Sequence, residues 1–473
     1  MKKVLFVTGE AAPFIKSGGL GDVAGALPRA LCEAGVDCRV ILPLYSQIPA
    51  AWREKMVYIR SIMVQNAWRK QHCGLFSCQV GAVTYYFIDN EYYFKRYAIY
   101  GENDDGERFA YFCRAVLSAL GEIDFIPDVL HCNDWHTALI PVLLDTEARN
   151  WSGYRDIKTV FTIHNIEFQG KYDSYILGDV FGMGERERPL LYYGGCLNLM
   201  KGAIECANAV TTVSESYADE ILNPYYSYGL HHILSARKYK LSGILNGIDT
   251  VAFDPQTDPA LPYHYSFESR AQKFRNKKAL QEELGLPTDN QKALIGMVTR
   301  LTLQKGLDLV RQEFNNIIKE DVQFVLLGTG DYEYEQYFRD IQAQYPDKVR
   351  CIINFDAKLA QRIYAGADLF LMPSKFEPCG LAQMIAMRYG TLPIVNAVGG
   401  LKDTVYPFNP TTGEGRGITF QSYNSGDMMD AIRRGVALFK NKSAYSKAKA
   451  NAMAGDYSWA VSAQKYINLY NNI

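Results

Sequence analysis

The chain has 473 residues, about three times the roughly 150 per domain of globular proteins, so two or three folded units are expected. Hydrophobic residues make up 48% and charged residues 21% of it, a balance that excludes long disordered tracts. Fifty Lys and Arg against 51 Asp and Glu leave a net charge of −1, so no global field favours nucleic acid or an acidic lipid surface, and neither is expected as a partner.

The start, Met1-Lys2-Lys3-Val4-Leu5-Phe6-Val7-Thr8-Gly9, has the basic-then-apolar look of a secretory leader, but Glu10 cuts the apolar run short. No later run approaches the ~18 apolar residues of a membrane span. Ten cysteines lie scattered from Cys32 to Cys379 without a CxxC pair, the usage of reduced thiols in a soluble, cytoplasmic protein. His131, Cys132, Asp134 and His136 cluster without zinc-site spacing, so no metal or other cofactor is expected.

Taken in order, a strand at Val4–Thr8 leads through the turn Lys16-Ser17-Gly18-Gly19-Leu20-Gly21-Asp22 into a helix that carries Val23, Ala26, Leu27, Ala30 and Leu31 on one face. A second strand is predicted at Cys38–Leu44, which completes a unit of the kind that builds parallel sheets. Residues 57–90 alternate instead, as in Val83-Thr84-Tyr85-Tyr86-Phe87-Ile88, and read as a more antiparallel insertion. The strand–helix rhythm returns with a helix at 107–121, a strand at Val129–Cys132, a helix at 136–148, strands at Thr159–Ile163 and Ala209–Val213, and a last strand running into Gly243–Asp249. The proline-punctuated stretch 250–268 reads as a linker. A second series follows, with strands at Leu294–Thr299, Phe324–Leu327, Val349–Asn354, Leu369–Met372 and Leu392–Val395 separated by helices.

The expected fold class is α/β. Two doubly wound domains, 1–249 and 269–455, are followed by an amphipathic helix at 456–473 that packs back on the first domain. Ligands of such sheets collect beyond the carboxyl ends of the strands, and two facing domains make a deep cleft there.

The loops at those ends hold the candidate chemistry. Lys16 beside Gly18 and Gly19 suits a phosphate or sugar, because glycine lets backbone amides approach an anion and the helix start adds positive potential; a purely structural tight turn stays equally open. The Lys precedes the glycines, which is not the nucleotide-binding P-loop order. Arg300 and Lys305 suit a pyrophosphate or are two solvated cations. In Ser374-Lys375-Phe376-Glu377-Pro378-Cys379-Gly380-Leu381, Pro378 biases Glu377 toward extended backbone, and the amides near Leu381 open toward an anion. His164, directly after its strand, is either a satisfied structural histidine or a sugar contact, and Asp134 and Asn246 border the same rim. No GxGxxG follows the first strand, and there is no nucleophilic serine motif. The set fits transfer of a group from a diphosphate-activated donor.

The motif Lys16-Ser17-Gly18-Gly19-Leu20 resembles the KTGGL opening of bacterial and plant glycogen and starch synthases. In the same order follow Asn133-Asp134-Trp135-His136, Thr162-Ile163-His164-Asn165, Asn246-Gly247-Ile248-Asp249, Arg300 with Lys305, Lys375-Phe376-Glu377-Pro378-Cys379-Gly380-Leu381 and Gly399-Gly400-Leu401. The resemblance runs end to end. It implies the GT-B architecture of two Rossmann-like domains and a retaining transferase that moves glucose from ADP-glucose to a glycogen or malto-oligosaccharide end without a metal. It also implies that Lys16, Gly18, Gly19 and Asp22 shape the donor-phosphate side, that Arg300 and Lys305 neutralise the leaving diphosphate, and that His164, Asn246 and Glu377 hold the glucose. Amides around Cys379, Gly380 and Leu381 would complete the phosphate cradle. Three positions depart from the family pattern: Ser17 replaces Thr, Ile385 stands where related retaining enzymes carry a second Glu, and Phe355 stands where many relatives place a Tyr against adenine. A UDP-glucose preference, and a glucan-binding protein on a decayed synthase fold, are the competing readings.

Overall fold

Runs of Val, Ile, Leu and Phe too short for a helix and bounded by glycine or polar turns form the strands, and the intervening amphipathic segments form helices that cover both sheet faces. The computed structural model describes all 473 residues and divides into two units, Met1–Gly247 together with Trp459–Ile473, and Ile248–Ser458.

The first unit begins with β1 (Lys3–Val7), β2 (Asp37–Pro43), β3 (Val57–Asn66), β4 (Arg69–Val80), β5 (Val83–Asp89), β6 (Val129–Asn133) and β7 (Lys158–Ile163). The short strands β8 (Lys171–Tyr172), β9 (Tyr192–Tyr193) and β10 (Cys196–Asn198) pair with one another, and β11 (Ala209–Thr212) and β12 (Leu241–Gly243) complete the main sheet. Its order is β12-β11-β7-β6-β1-β2-β5-β4-β3. The stretch 57–90 is antiparallel in its β3–β4 and β4–β5 pairings, as its alternation suggests, and it is joined to the main sheet. β3 and β4 are antiparallel, but β5, antiparallel to β4, lies parallel to β2 and so extends the main sheet.

The helix Trp459–Asn472 belongs to the first unit. Tyr470 and Tyr466 are buried in it, and the Tyr470 hydroxyl meets His131 Nδ1 at 2.7 Å while His131 Nε2 meets Thr162 Oγ1 at 2.6 Å. Both imidazole nitrogens are thus engaged by hydroxyls, and burial pushes the His131 pKa down to about 3. This histidine ties a strand to the last helix.

The second unit contains β13 (Ala293–Val298), β14 (Val322–Leu327), β15 (Val349–Ile352), β16 (Leu369–Met372), β17 (Leu392–Asn396) and β18 (Ile418–Phe420), all parallel, in the order β15-β14-β13-β16-β17-β18. Gly296 lets the helix Ala357–Gly366 lie close on β13, for a Cβ there would sit 2.9 Å from Ile363 and 3.0 Å from Ala367. Residues 250–268, expected as a linker, pack into this unit. Tyr265 is buried and donates to the Tyr389 carbonyl at 2.7 Å, and the Tyr389 hydroxyl donates to Asp258 at 2.5 Å.

Each sheet reverses its winding once. In the first unit the chain moves outward from β1 toward β2 and β5, then returns to β6 on the other side; in the second it leaves β13 toward β14 and β15, then returns to β16. The loops after β1 and β6, and those after β13 and β16, therefore splay apart at the positions where open parallel sheets bind ligands.

Candidate active site

In the first unit the loop after β1 folds back on itself around one carboxylate. Glu10, only 2% exposed, accepts from the Ser17 amide at 2.5 Å, the Ser17 hydroxyl at 2.7 Å and the Gly21 amide at 3.1 Å. Gly21 is required by the fold, since a Cβ there would stand 2.4 Å from the Lys16 Cβ. Gly18 and Gly19 are different: a Cβ on either meets nothing within 4 Å. Lys16 is about half exposed and pairs with Asp22 at 2.7 Å.

The loop after β6 carries Asp134 with φ 56° and ψ −178°, a backbone state that costs on the order of 1–3 kcal/mol outside glycine. Its carboxylate accepts from the His164 amide at 2.7 Å, which fixes the chain as it leaves β7. Burial raises the Asp134 pKa to about 7, against the lowering effect of the His164 and Asn165 amides, with Glu10 adding a smaller upward push. His164 Nε2 lies 2.9 Å from Asn133 Oδ1, and the Asn133 amide nitrogen is occupied by the Val7 and His131 carbonyls. That assignment places the imidazole proton on Nε2 and leaves Nδ1 as an acceptor. Burial holds the ring neutral by lowering its pKa to about 3. Asn246 is buried and its Oδ1 has no partner within the protein.

The Asp134 pKa is above its unfolded value of about 3.9. Between that value and about 7 the folded state binds more protons than the unfolded state, so this group's contribution to stability falls as pH rises through the window. Asp134→Asn is expected to abolish that slope. In urea titrations at pH 5 and pH 8, the stability of wild type minus that of the variant should be smaller at pH 8; a difference independent of pH would contradict the assignment.

In the second unit the loops after β13 and β16 are locked together. Gly306 has φ 75° and approaches the chain so closely that a Cβ would stand 2.1 Å from the Pro373 carbonyl oxygen. The Lys375 amide donates to the Gln304 carbonyl at 2.9 Å. This registration sets Lys305 Nζ 2.6 Å from Glu377 Oε2, an oxygen that also accepts from Ser374 Oγ at 3.0 Å. Glu377 is 7% exposed, and its backbone carbonyl accepts from the Gly400 amide at 3.1 Å. Arg300 is exposed at the end of β13, and Phe355 is 79% exposed in the loop after β15.

Gly380 takes φ 72°. Buried Gln383 donates through Nε2 to the Cys379 and Gly380 carbonyls at 3.1 and 2.9 Å. Because carbonyl and amide point oppositely across a trans peptide, the amides of Gly380 and Leu381 are turned away from Gln383. Ile385 is buried on the helix Ala382–Arg388, so its position contributes packing and no carboxylate.

The structure thus brings Lys16, Gly18, Gly19 and Asp22 into one loop, joins Asp134 to the His164 backbone, and couples Lys305 directly to Glu377. Ser374, which opens the segment around Glu377, carries no role at the level of sequence, and Glu10 and Gln383, which hold these groups, are not picked out by any sequence motif. Nor is Tyr100, whose buried hydroxyl has no partner and whose ring stacks on His136 with centroids 4.3 Å apart.

Two family models match the chain: residues 3–236 fit the starch synthase catalytic domain and residues 278–453 fit group 1 glycosyl transferases. With two doubly wound units, one on a mixed and one on an all-parallel sheet, carrying cations and a carboxylate at their switch points, the protein is a glycosyltransferase of GT-B architecture. It is 51% identical over 473 residues to a glycogen synthase of Anoxybacillus flavithermus, covering 100% of this chain and 98% of that protein. A glycogen synthase of Lactobacillus acidophilus is 50% identical, with 100% and 99% covered. The catalytic domain of starch synthase IV from Arabidopsis thaliana, solved bound to ADP and acarbose, superposes with a TM-score of 0.92 at 34% identity over 100% of this chain and 99% of that one. Sucrose-phosphate synthase from Thermosynechococcus elongatus, at 17% identity and a TM-score of 0.63, shares the fold. The chain belongs to the glycogen synthase family.

Proposed function

We propose that the protein acts in the cytoplasm and transfers glucose from ADP-glucose to the non-reducing end of an α-1,4-glucan, with retention of configuration and release of ADP. The observation that carries this reading is the Lys305–Glu377 pair, 2.6 Å apart beyond the switch point between β13 and β16. Donor and acceptor follow from the relatives, which are named for glycogen synthesis, and from the starch synthase solved with ADP.

As the anomeric C–O bond to ADP breaks, positive charge develops on the sugar and negative charge on the departing diphosphate. Arg300 and Lys305 stabilise the diphosphate, the loop Lys16–Asp22 contributes its cation and open amides, and the Gly380 and Leu381 amides donate to a phosphate oxygen. Fixed donors of this kind, placed where charge develops, lower the barrier most in a water-poor site. Glu377 and His164 hold glucose hydroxyls, with His164 neutral so that Nδ1 accepts. The glucan hydroxyl attacks from the face the diphosphate leaves, forms the new C–O bond, and passes its proton to the departing phosphate. Phe355 offers an exposed ring on which the nucleotide base stacks.

Initial rates with ADP-glucose and UDP-glucose, each with glycogen as acceptor, test the donor directly. The expected result is a large preference in kcat/KM for ADP-glucose; a UDP-glucose preference would overturn the donor assignment, and no transfer from either would overturn the reading.

A further inference from the structure

We propose that Glu10 is a positioning residue of the donor site: its buried carboxylate holds the Lys16–Asp22 loop in the one shape that presents Lys16 and the amides of Gly18 and Gly19 to the donor diphosphate. The inference rests on the reading of that loop as a donor contact.

Three observations carry it. First, Glu10 uses both carboxylate oxygens, Oε2 for the amide and hydroxyl of Ser17 and Oε1 for the amide of Gly21. A carboxylate is the side chain that can accept three such bonds at once; a primary amide of the same shape has one acceptor oxygen and turns two donor hydrogens toward the others. The bond pattern staples the two ends of the loop to a single point. The Ala12 amide adds a bond to the Gly21 carbonyl at 2.9 Å, so Gly21 is tied on both sides to the segment that follows β1.

Second, the residues between the staples are the ones left open. Gly18 and Gly19 are exposed, their amides have no acceptor within the protein, and the space beside each is empty of protein atoms out to 4 Å. Nothing in the packing of this chain demands glycine at either position, whereas it does at Gly21. Glycines without a packing reason suit the close approach of a group from outside the chain. Two adjacent glycines are also the most mobile backbone available, and fixing each such residue costs roughly 1–2 kcal/mol. Glu10 imposes that order before the donor arrives.

Third, Glu10 is itself anchored. It lies three residues beyond β1, its carbonyl accepts from the fully buried Thr8 hydroxyl at 2.8 Å, and its side chain is almost entirely shielded from water. Burial raises its pKa, against the lowering effect of the Ser17 and Gly21 bonds.

The test uses the full-length protein with Glu10→Gln, Glu10→Ala and, in parallel, Lys16→Ala. Hydrogen exchange of the ligand-free Glu10→Gln variant should be faster in peptides covering residues 14–24 and unchanged elsewhere. The KM for ADP-glucose should rise by about ten- to a hundredfold, the factor expected for losing bonds to a charged acceptor, with the KM for glycogen unchanged and kcat affected much less. Glu10→Ala should show the same pattern more strongly, and Glu10→Gln carries the test if the Ala variant is too unstable to purify. Unchanged loop exchange and donor KM in Glu10→Gln beside an impaired Lys16→Ala would overturn the role of Glu10 alone. Equal rises in both KM values with exchange accelerated throughout would make Glu10 a residue of general stability and overturn the proposal. A normal donor KM in Lys16→Ala would overturn the assignment of the loop to the donor.

Discussion

Glu377→Ala is expected to lower kcat by about 10²–10³, the loss seen when a fixed polar group at a transition state is removed, while the KM for glycogen changes little. The variant loses the group that holds the glucose and also the partner of Lys305, whose ammonium is 2.6 Å away with only 15% of its side chain exposed. Leaving that cation without its acceptor destabilises the fold by roughly 1–3 kcal/mol, visible as a lower urea midpoint. Glu377→Gln separates the two effects. It keeps the volume and one acceptor oxygen, so much of the stability should return while turnover stays low. Retention of most wild-type turnover in either variant would remove Glu377 from the catalytic machinery.

Lys305→Ala is expected to reduce kcat/KM for ADP-glucose by about 10²–10³ and to leave glycogen affinity near wild type, because the ammonium acts on the departing diphosphate. The opposite pattern, weakened glycogen use with normal donor use, would count against phosphate contact. Since Lys305 and Glu377 touch, their effects should not add. A double-mutant cycle in kcat/KM is expected to give a coupling of about 0.5–3 kcal/mol, and simple additivity would mean that the ion pair has no part in setting the active geometry.

How far the sequence revealed this arrangement varied with the range of the interactions. β16 is found at Leu369–Met372, the residues read as strand, because a fully buried parallel strand leaves a continuous apolar run between polar turns. β5 shows where such a reading stops. Alternation in Val83–Ile88 reports a strand but not its neighbours, and only the fold places it parallel to β2. The prolines of 250–268 signal irregular backbone correctly, yet irregular is not the same as loose; the Tyr265 and Asp258 contacts to Tyr389 span more than a hundred residues and leave no local trace.

The site divides in the same way. Lys16, Arg300, Lys305 and Glu377 lie in loops at strand ends and could be singled out from position and residue type. Glu10 is visible in the sequence only as the residue that interrupts an apolar run, since its partners appear when residues 17–21 turn back onto it. From the sequence Asp134 is a rim residue and no more. Its bond to the His164 amide depends on β6 and β7 being neighbours, a fact of topology.

The chain enters the second unit at Ile248 and leaves it at Ser458, so the helix that closes the first unit is made only after the second unit. During synthesis the Tyr470 partner of His131 is still missing while the whole second unit emerges from the ribosome, and domains that normally complete themselves in N-to-C order cannot do so here. The nascent first unit must carry an uncovered apolar face, the later seat of Tyr466 and Tyr470, for more than two hundred residues of translation. A stop codon shortly before Trp459 would leave every loop residue of the site encoded and the first unit permanently unfinished.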